Sequence, residues 1–280
     1  KNIQGVIVKY AGYAENSFKT ILSYVIAKNI SEKETEYLNP KNYKYSNDTD
    51  KRQHLRTLLN NTLKLCNETH DTPTSHYRST KDHIPPWILF KNVSFSSTTD
   101  IYKYLKTKDK KDMFTYFRLL SASNIDDEAK ANVLLSALNI VRKFRNKATH
   151  NLDFVKYRSP LFHSANHIFE NTLLYTNEIN KTYDDIWGLI LSMIILLNNK
   201  YLEYGFLTEL FTYLNSYGSD MSGLYCRMTG IPIDYQRRFE LYISTLTASS
   251  TDYNQAEPPF NAAILQNTYS DVAATSETAP

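Results

Sequence analysis

The chain has 280 residues, 42% of them hydrophobic and 22% charged, enough apolar content for one large core or two modest ones, which excludes disorder throughout. Seven glycines and nine prolines fall well below the roughly 12% of an average globular chain, and folds assembled from many tight turns need more of both. Cys66 and Cys226, far apart, are too few for a disulfide scaffold and suit a reducing compartment; the formal charge of +3 permits a nucleic-acid partner without arguing for one.

Apolar residues at helical spacing predict a first helix over Ala14–Asn29, through Phe18, Ile21, Leu22, Val25 and Ile26. Residues 31–49 read as a loop around Pro40. Helical period returns at Leu55, Leu58, Leu59, Leu63 and Cys66, and a polar connection runs from Asn67 to His83. The segment Ile84-Pro85-Pro86-Trp87 places prolines where a helix can begin, and Ser96 to Asp100 offers caps for the next one. A helix is expected over Lys110–Leu120. Asp126, Asp127 and Glu128 suit the positive end of a long helix running through Phe144.

Between Ile186 and Leu197 nearly every residue is apolar, interrupted by Gly188 and Ser192. Twelve residues cannot cross a bilayer that needs about 20, so this segment is a central core helix and no membrane partner is expected. Tyr201–Tyr217 is helical, Gly218–Gly230 reads as a loop, and Pro232 opens a last helix containing Phe239, Leu241 and Tyr242. From Ala248 onward Ser, Thr, Ala, Pro and Asn dominate, as in a tail. The expected architecture is a single all-α domain over 1–247 with a polar insertion, followed by a low-complexity tail over 248–280. The start of the sequence lacks the charged, apolar and small-residue order of a secretory signal, so a cytoplasmic location is expected.

The most informative stretch is Val141 to His150. At about 100° per residue, Leu134, Leu138, Val141 and Arg145 share one narrow stripe, so an arginine extends a core-facing surface. Guanidinium is seldom buried unpartnered; Arg145 therefore pairs with a carboxylate or lines a cavity or interface. His150 lies about 140° further round an unbroken helix, and Asn146 shares its face at i+4. Either the helix distorts after Ala148, or the two side chains converge in a groove formed with another helix or a second subunit. The bland reading is an ordinary helix end with a structural ion pair at Arg145. Glu15 in the first helix is an acidic partner available to Arg145, or pairs locally with Lys19 at i+4, the latter ranking slightly ahead.

Arg145-Asn146 followed by His150 resembles the R-N-x3-H form of the R-x4-6-H motif of HEPN ribonucleases. Glu15, Ile84-Pro85-Pro86-Trp87 leading to Ser94-Phe95 and Tyr102, and Gly230-Ile231-Pro232-Ile233-Asp234-Tyr235 resemble, in order, the Abi-like abortive-infection proteins of the AbiD/AbiF type. Two departures stand out. Abi-like members usually place alanine immediately before the histidine, where Thr149 stands here. Leu152 replaces the tyrosine of HEPN toxins paired with nucleotidyltransferase antitoxins, which argues against that partnership.

The resemblance implies a HEPN-like helical bundle acting as a homodimeric endoribonuclease of antiphage defence, with the motif at the dimer interface, no metal and no cofactor. Imidazole, titrating ordinarily near pH 6.5, serves as acid or base in 2′-hydroxyl attack, and arginine holds phosphate oxygens. Arg145, His150 and Asn146 are thus the catalytic candidates, Glu15 and Lys19 supporting ones, and Arg142, Lys143 and Lys147 RNA contacts. A small noncoding RNA is the regulator that the resemblance suggests. The alternative is a noncatalytic RNA-binding or interaction module on the same scaffold.

Other signals weigh less. Lys103, Lys106, Lys108, Lys110 and Lys111 interleave with Tyr102, Tyr104, Phe114, Tyr116 and Phe117, a composition that suits a nucleic-acid track, but Asp109 and Asp112 dilute it and aromatics turned inward are the commoner outcome. His163 and His167 with Glu170, and Cys66 with His70 and His76, lack metal-site spacing. No phosphate-cradling G-x4-G-K loop and no G-x-S-x-G elbow occurs.

Overall fold

In the computed structural model, residues 2–150, 155–161, 165–169, 172, 174, 183–216 and 219–248 are described. Helix α1 spans Asn2–Asn29 and begins twelve residues earlier than its expected start at Ala14. The apolar repeat continues upstream through Ile3, Val6, Ile7, Tyr10 and Ala11, all buried, while Gly5 and Gly12 face open space and do not interrupt it.

The expected loop after α1 contains α2 (Glu34–Tyr37) and a 3-10 turn at Pro40–Asn42. Buried tyrosines fix it: the Tyr37 hydroxyl donates to the Ile84 carbonyl at 2.8 Å, and the Tyr43 hydroxyl to the Tyr37 carbonyl at 2.8 Å. Helix α3 (Thr49–Glu68) is capped by Asp48, whose carboxylate accepts from the Asp50 and Lys51 N–H groups. The polar connection beyond it carries a short helix, α4 (Thr72–Thr80). Helix α5 (Pro86–Asn92) starts on Pro86 as the proline pair predicts, and α6 (Phe95–Tyr104) takes Ser94 as its cap.

The single helix expected over Lys110–Leu120 is two, α7 (Thr107–Thr115) and α8 (Arg118–Ala122). The break is made by Asn198, which accepts from the Arg118 backbone N–H at 2.7 Å and donates to the Tyr116 carbonyl. Helix α9 (Asp127–Thr149) is capped by Asp126 and buries Val133, Leu134, Ala137, Leu138, Ile140, Val141, Phe144 and Ala148. A short α10 (Ala165–Phe169) follows. Helix α11 (Ile186–Leu197) coincides with the predicted core helix, and all twelve of its residues are buried.

Helix α12 (Lys200–Asn215) matches the expected segment, whereas the stretch read as a loop at Gly218–Gly230 forms α13 (Ser219–Thr229). Cys226 and Thr229 on α13 are buried, and Gly223 has room around it, so its glycine content does not break the helix. Gly230 ends α13 at φ 72°, the left-handed conformation that glycine adopts without strain. Pro232 belongs to a turn closed by the Tyr235 N–H, and α14 (Tyr235–Ala248) begins three residues after it. The expected tail falls outside the described residues beyond Ala248.

Among the described residues the protein is all-α, with no strand. Helices α9 and α11 pack together, α1 lies across both, and α12, α6 and α7 close the bundle. No described helix is long and apolar enough to cross a membrane. As a result of this packing, α1, α6 and the last turns of α9 meet at one edge of the core.

Candidate active site

The last three turns of α9 carry the motif. Arg145 lies at the edge of the buried stripe; its side chain is 31% exposed, and Nη2 donates to Glu15 Oε2 at 3.2 Å. The other Glu15 oxygen meets Lys19 Nζ at 2.6 Å. Both pairings foreseen for Glu15 therefore exist together, one carboxylate bridging two cations and leaving a net positive charge. Below the guanidinium lies the buried Phe95 ring of α6, with the centroid 5.9 Å from Cζ, a geometry that favours a cation over an aromatic face.

His150 is exposed at the C-cap of α9. Its backbone N–H still donates to the Asn146 carbonyl at 3.1 Å, so helical hydrogen bonding holds up to the histidine and no distortion intervenes after Ala148. The Thr149 hydroxyl donates to the Arg145 and Asn146 carbonyls at 3.1 and 2.9 Å, a local bond to the preceding turn. Asn146 is exposed, and no hydrogen bond joins its side chain to His150.

Helical geometry sorts the basic residues onto two faces. Lys143, Lys147 and His150 lie within about 60° of one another around the axis; Lys143 is exposed, and Lys147 Nζ sits 4.6 Å from the Tyr157 ring centroid. Tyr157 in turn packs edge-on against Phe144. Arg142 and Arg145 face α6 instead. Arg142 donates to the Ser96 hydroxyl at 3.0 Å and to the Asn139 carboxamide at 3.2 Å, while its buried Nε has no partner. A cation at either face sits where the negative end of the α9 dipole favours it.

Sequence reasoning missed a second ionic cluster. Arg118 Nη2 meets Glu203 Oε2 at 2.6 Å, and the Tyr242 hydroxyl donates to the same oxygen at 2.8 Å. Glu203 is fully buried, and burial followed by the Glu203 charge pushes the Tyr242 phenol above its ordinary value. The available signal was the position of Glu203 on the same stripe as Phe206, Leu207, Leu210 and Leu214. An open cleft of about 400 Å³ lies beside Arg118 and Asn198, away from the α9 motif.

The remaining candidates separate. Burial, then the Glu34 charge, pushes the Cys66 thiol up to about 12, which suits a packed side chain rather than a thiolate ligand. His167 is exposed on α10, and His163 and Glu170 lie outside the described residues. No group of three His, Cys, Asp or Glu side chains gathers as a metal site among the described residues. Tyr102, Tyr104, Phe114 and Phe117 are buried, so the aromatics of the lysine-rich stretch turn inward.

Comparison with known proteins bears on this edge of the molecule. No curated protein and no solved structure matches the chain. The family model described as Abi-like protein matches residues 1–155, from the first turn of α1 past the end of α9, and so includes Glu15, Arg145 and His150. That match spans more than half of the 280 residues, and the chain belongs to the Abi-like protein family.

Proposed function

We propose that this protein is a metal-independent endoribonuclease of bacterial antiphage defence, built on a HEPN scaffold and acting in the cytoplasm as a homodimer. The observation that carries the proposal is the pairing of a half-buried guanidinium, held over Phe95 by Glu15, with an exposed imidazole at the end of the same helix. Membership of the Abi-like family supports abortive infection as the setting.

In this reading an imidazole takes the proton of a ribose 2′-hydroxyl. The freed oxygen attacks the adjacent phosphorus, the bond from phosphorus to the 5′-oxygen breaks, and a second imidazole protonates the departing oxygen. The products are a 2′,3′-cyclic phosphate and a 5′-hydroxyl. Arg145, a permanent planar cation, stabilises the negative charge that grows on the phosphoryl oxygens, and Glu15 with Lys19 fixes its position. Lys143 and Lys147, on the face of His150, take neighbouring phosphates, and Arg142 does so on the α6 side. One protomer supplies one such histidine, so two copies complete the acid and base pair. A nuclease of this kind must be restrained in healthy cells, and a small noncoding RNA is the regulator we propose.

RNA incubated in excess chelator with the parent, Arg145→Ala and His150→Ala proteins provides the test. The parent should cleave, and each variant should lose about 100-fold or more in rate. Equal cleavage by all three, or RNA binding without cleavage by any, sinks the assignment. The second outcome defines the runner-up, a noncatalytic RNA-binding or regulatory module, which the in-chain pairing of Arg145 with Glu15 favours.

A further inference from the structure

The lysine-rich stretch behind α6 takes on a different meaning once folded. Lys44, from the segment after the 3-10 turn, donates its backbone N–H to the Tyr104 carbonyl at 2.8 Å, which ties that segment to the end of α6. Lys110 of α7 returns to the same place: its Nζ donates to the Lys103 carbonyl at 2.9 Å and sits 5.1 Å from the Tyr102 ring centroid. The Lys110 ammonium thus lies at the end of α6 within reach of the Lys44 and Lys103 charges, the Lys103 ammonium sits 6.0 Å from the Tyr104 ring centroid, and none of the three lysines has a carboxylate partner among the described residues.

The acids that dilute this stretch in the sequence face elsewhere. Asp109 is buried and accepts from Asn29, and Asp112 pairs with Lys28 at 3.0 Å, both at the end of α1. Asp48, near Tyr104, is held by Lys51 and by the N-terminal N–H groups of α3; Asp100 is the remaining acid close by. Beside Lys44 stands Tyr45, 72% exposed, with Arg52 donating to its hydroxyl at 2.8 Å and lying 5.6 Å from its ring.

We propose that Tyr45 with Lys44, Lys103 and Lys110 forms a docking track for single-stranded RNA, separate from the Arg145 and His150 site. The aromatic ring offers a stacking face to a base, and the lysines take the flanking phosphates, the combination that binds single strands with little sequence preference. A helix end needs one cation to meet its carbonyls, and Lys110 already does so; Lys44 and Lys103 exceed that need. The lowering of the Lys110 amine to about 8, by burial first and then by Lys44 and Lys103, reflects the same uncompensated charge. The inference rests on the RNA-processing reading for the identity of the polymer, but its test is independent of cleavage.

Binding of a short labelled single-stranded RNA to the His150→Ala protein, followed by fluorescence anisotropy across a salt series, reads binding without cleavage, and variants added to it isolate the share of the track. Adding Lys44→Ala and Lys103→Ala together should weaken binding and reduce the salt slope by about 1.4, at roughly 0.7 for each phosphate left without its lysine. The exposed pair Lys81→Ala and Lys91→Ala removes equal charge elsewhere and should leave the slope near that of the parent. Tyr45→Ala should weaken binding about tenfold. Equal slopes for the two lysine pairs, an unaltered affinity in Tyr45→Ala, or a His150→Ala protein that binds no RNA each overturns the track. Chelator-resistant cleavage by the unmodified protein is measured separately and decides the nuclease reading by itself.

Discussion

Arg118 shows how single residues set the stability of the core. It joins α8 to α12 and α14 through Glu203 and Tyr242, and Glu203 has no access to water. Removing one partner of such a pair leaves a buried carboxylate uncompensated, and that penalty exceeds what the intact pair contributes. Arg118→Ala should therefore lose about 3 kcal/mol in urea unfolding, whereas Glu203→Gln, which keeps an acceptor for Tyr242, should lose less. A loss below that of Glu203→Gln contradicts the argument. Lys110 acts in the opposite sense. Its folded value of about 8 lies below the 10.5 of an ordinary lysine, so between these pH values the unfolded chain holds a proton that the folded chain has released. Stability from this residue accordingly rises across that window and is lowest below pH 8. Lys110→Met should raise thermal stability at pH 7, by the order of 1 kcal/mol after allowing for its partial exposure, and the advantage should fade as pH climbs toward 10.5. A constant difference between variant and parent at all pH values rules out charge as its cause. If Lys110 also contacts RNA, the protein keeps a destabilising amine for binding.

At the scale of elements, α11 tests how closely the core is built. A Cβ on Gly188 would lie 1.8 Å from the Tyr183 carbonyl oxygen, inside any permissible contact. Alanine favours helix over glycine by about 1 kcal/mol, yet the backbone must move to admit it, so Gly188→Ala should destabilise by about 2–3 kcal/mol in thermal or urea unfolding. A stabilised variant shows that the approach of Tyr183 is not a fixed contact. The contrast between α11 and its neighbours also explains what the sequence can disclose. A nearly continuous apolar run identifies α11 to the residue, and the stripe from Leu134 to Arg145 identifies the inner face of α9, because local spacing alone determines both. The division between α7 and α8 is invisible locally, since its agent, Asn198, stands 80 positions away from Arg118. Helix α13 hides behind glycines that look like loop residues until Cys226 and Thr229 are seen to pack inward. The site divides along the same line. Charge and spacing on α1 and α9 indicate Glu15 and Arg145, but the Phe95 floor and the Ser96 contact to Arg142 depend on how α6 crosses them.

For the whole molecule, the helical register of α9 makes assembly the central question. Because hydrogen bonding stays helical up to His150, Arg145 turns toward α1 while the imidazole stands exposed, and among the described residues one chain presents one such imidazole at this edge. In the nuclease mechanism we propose, a proton acceptor and a proton donor act together, which calls for a second copy, related by a two-fold axis that brings the α9 ends together. Mixing distinguishes this from a self-sufficient monomer. When His150→Ala protein is exchanged with an equal amount of parent at constant total concentration, random pairing leaves about one quarter of the dimers with both histidines. Cleavage should fall to about a quarter of the value for parent alone if both imidazoles act in one site, and to about half if each chain works independently. Subunit exchange, followed by a size or fluorescence tag on one species, must be complete before the rate is taken. A fall to half with complete exchange removes the composite site while leaving Arg145 and His150 as the motif of a single chain; a fall to a quarter ties the chemistry to the meeting of two α9 termini.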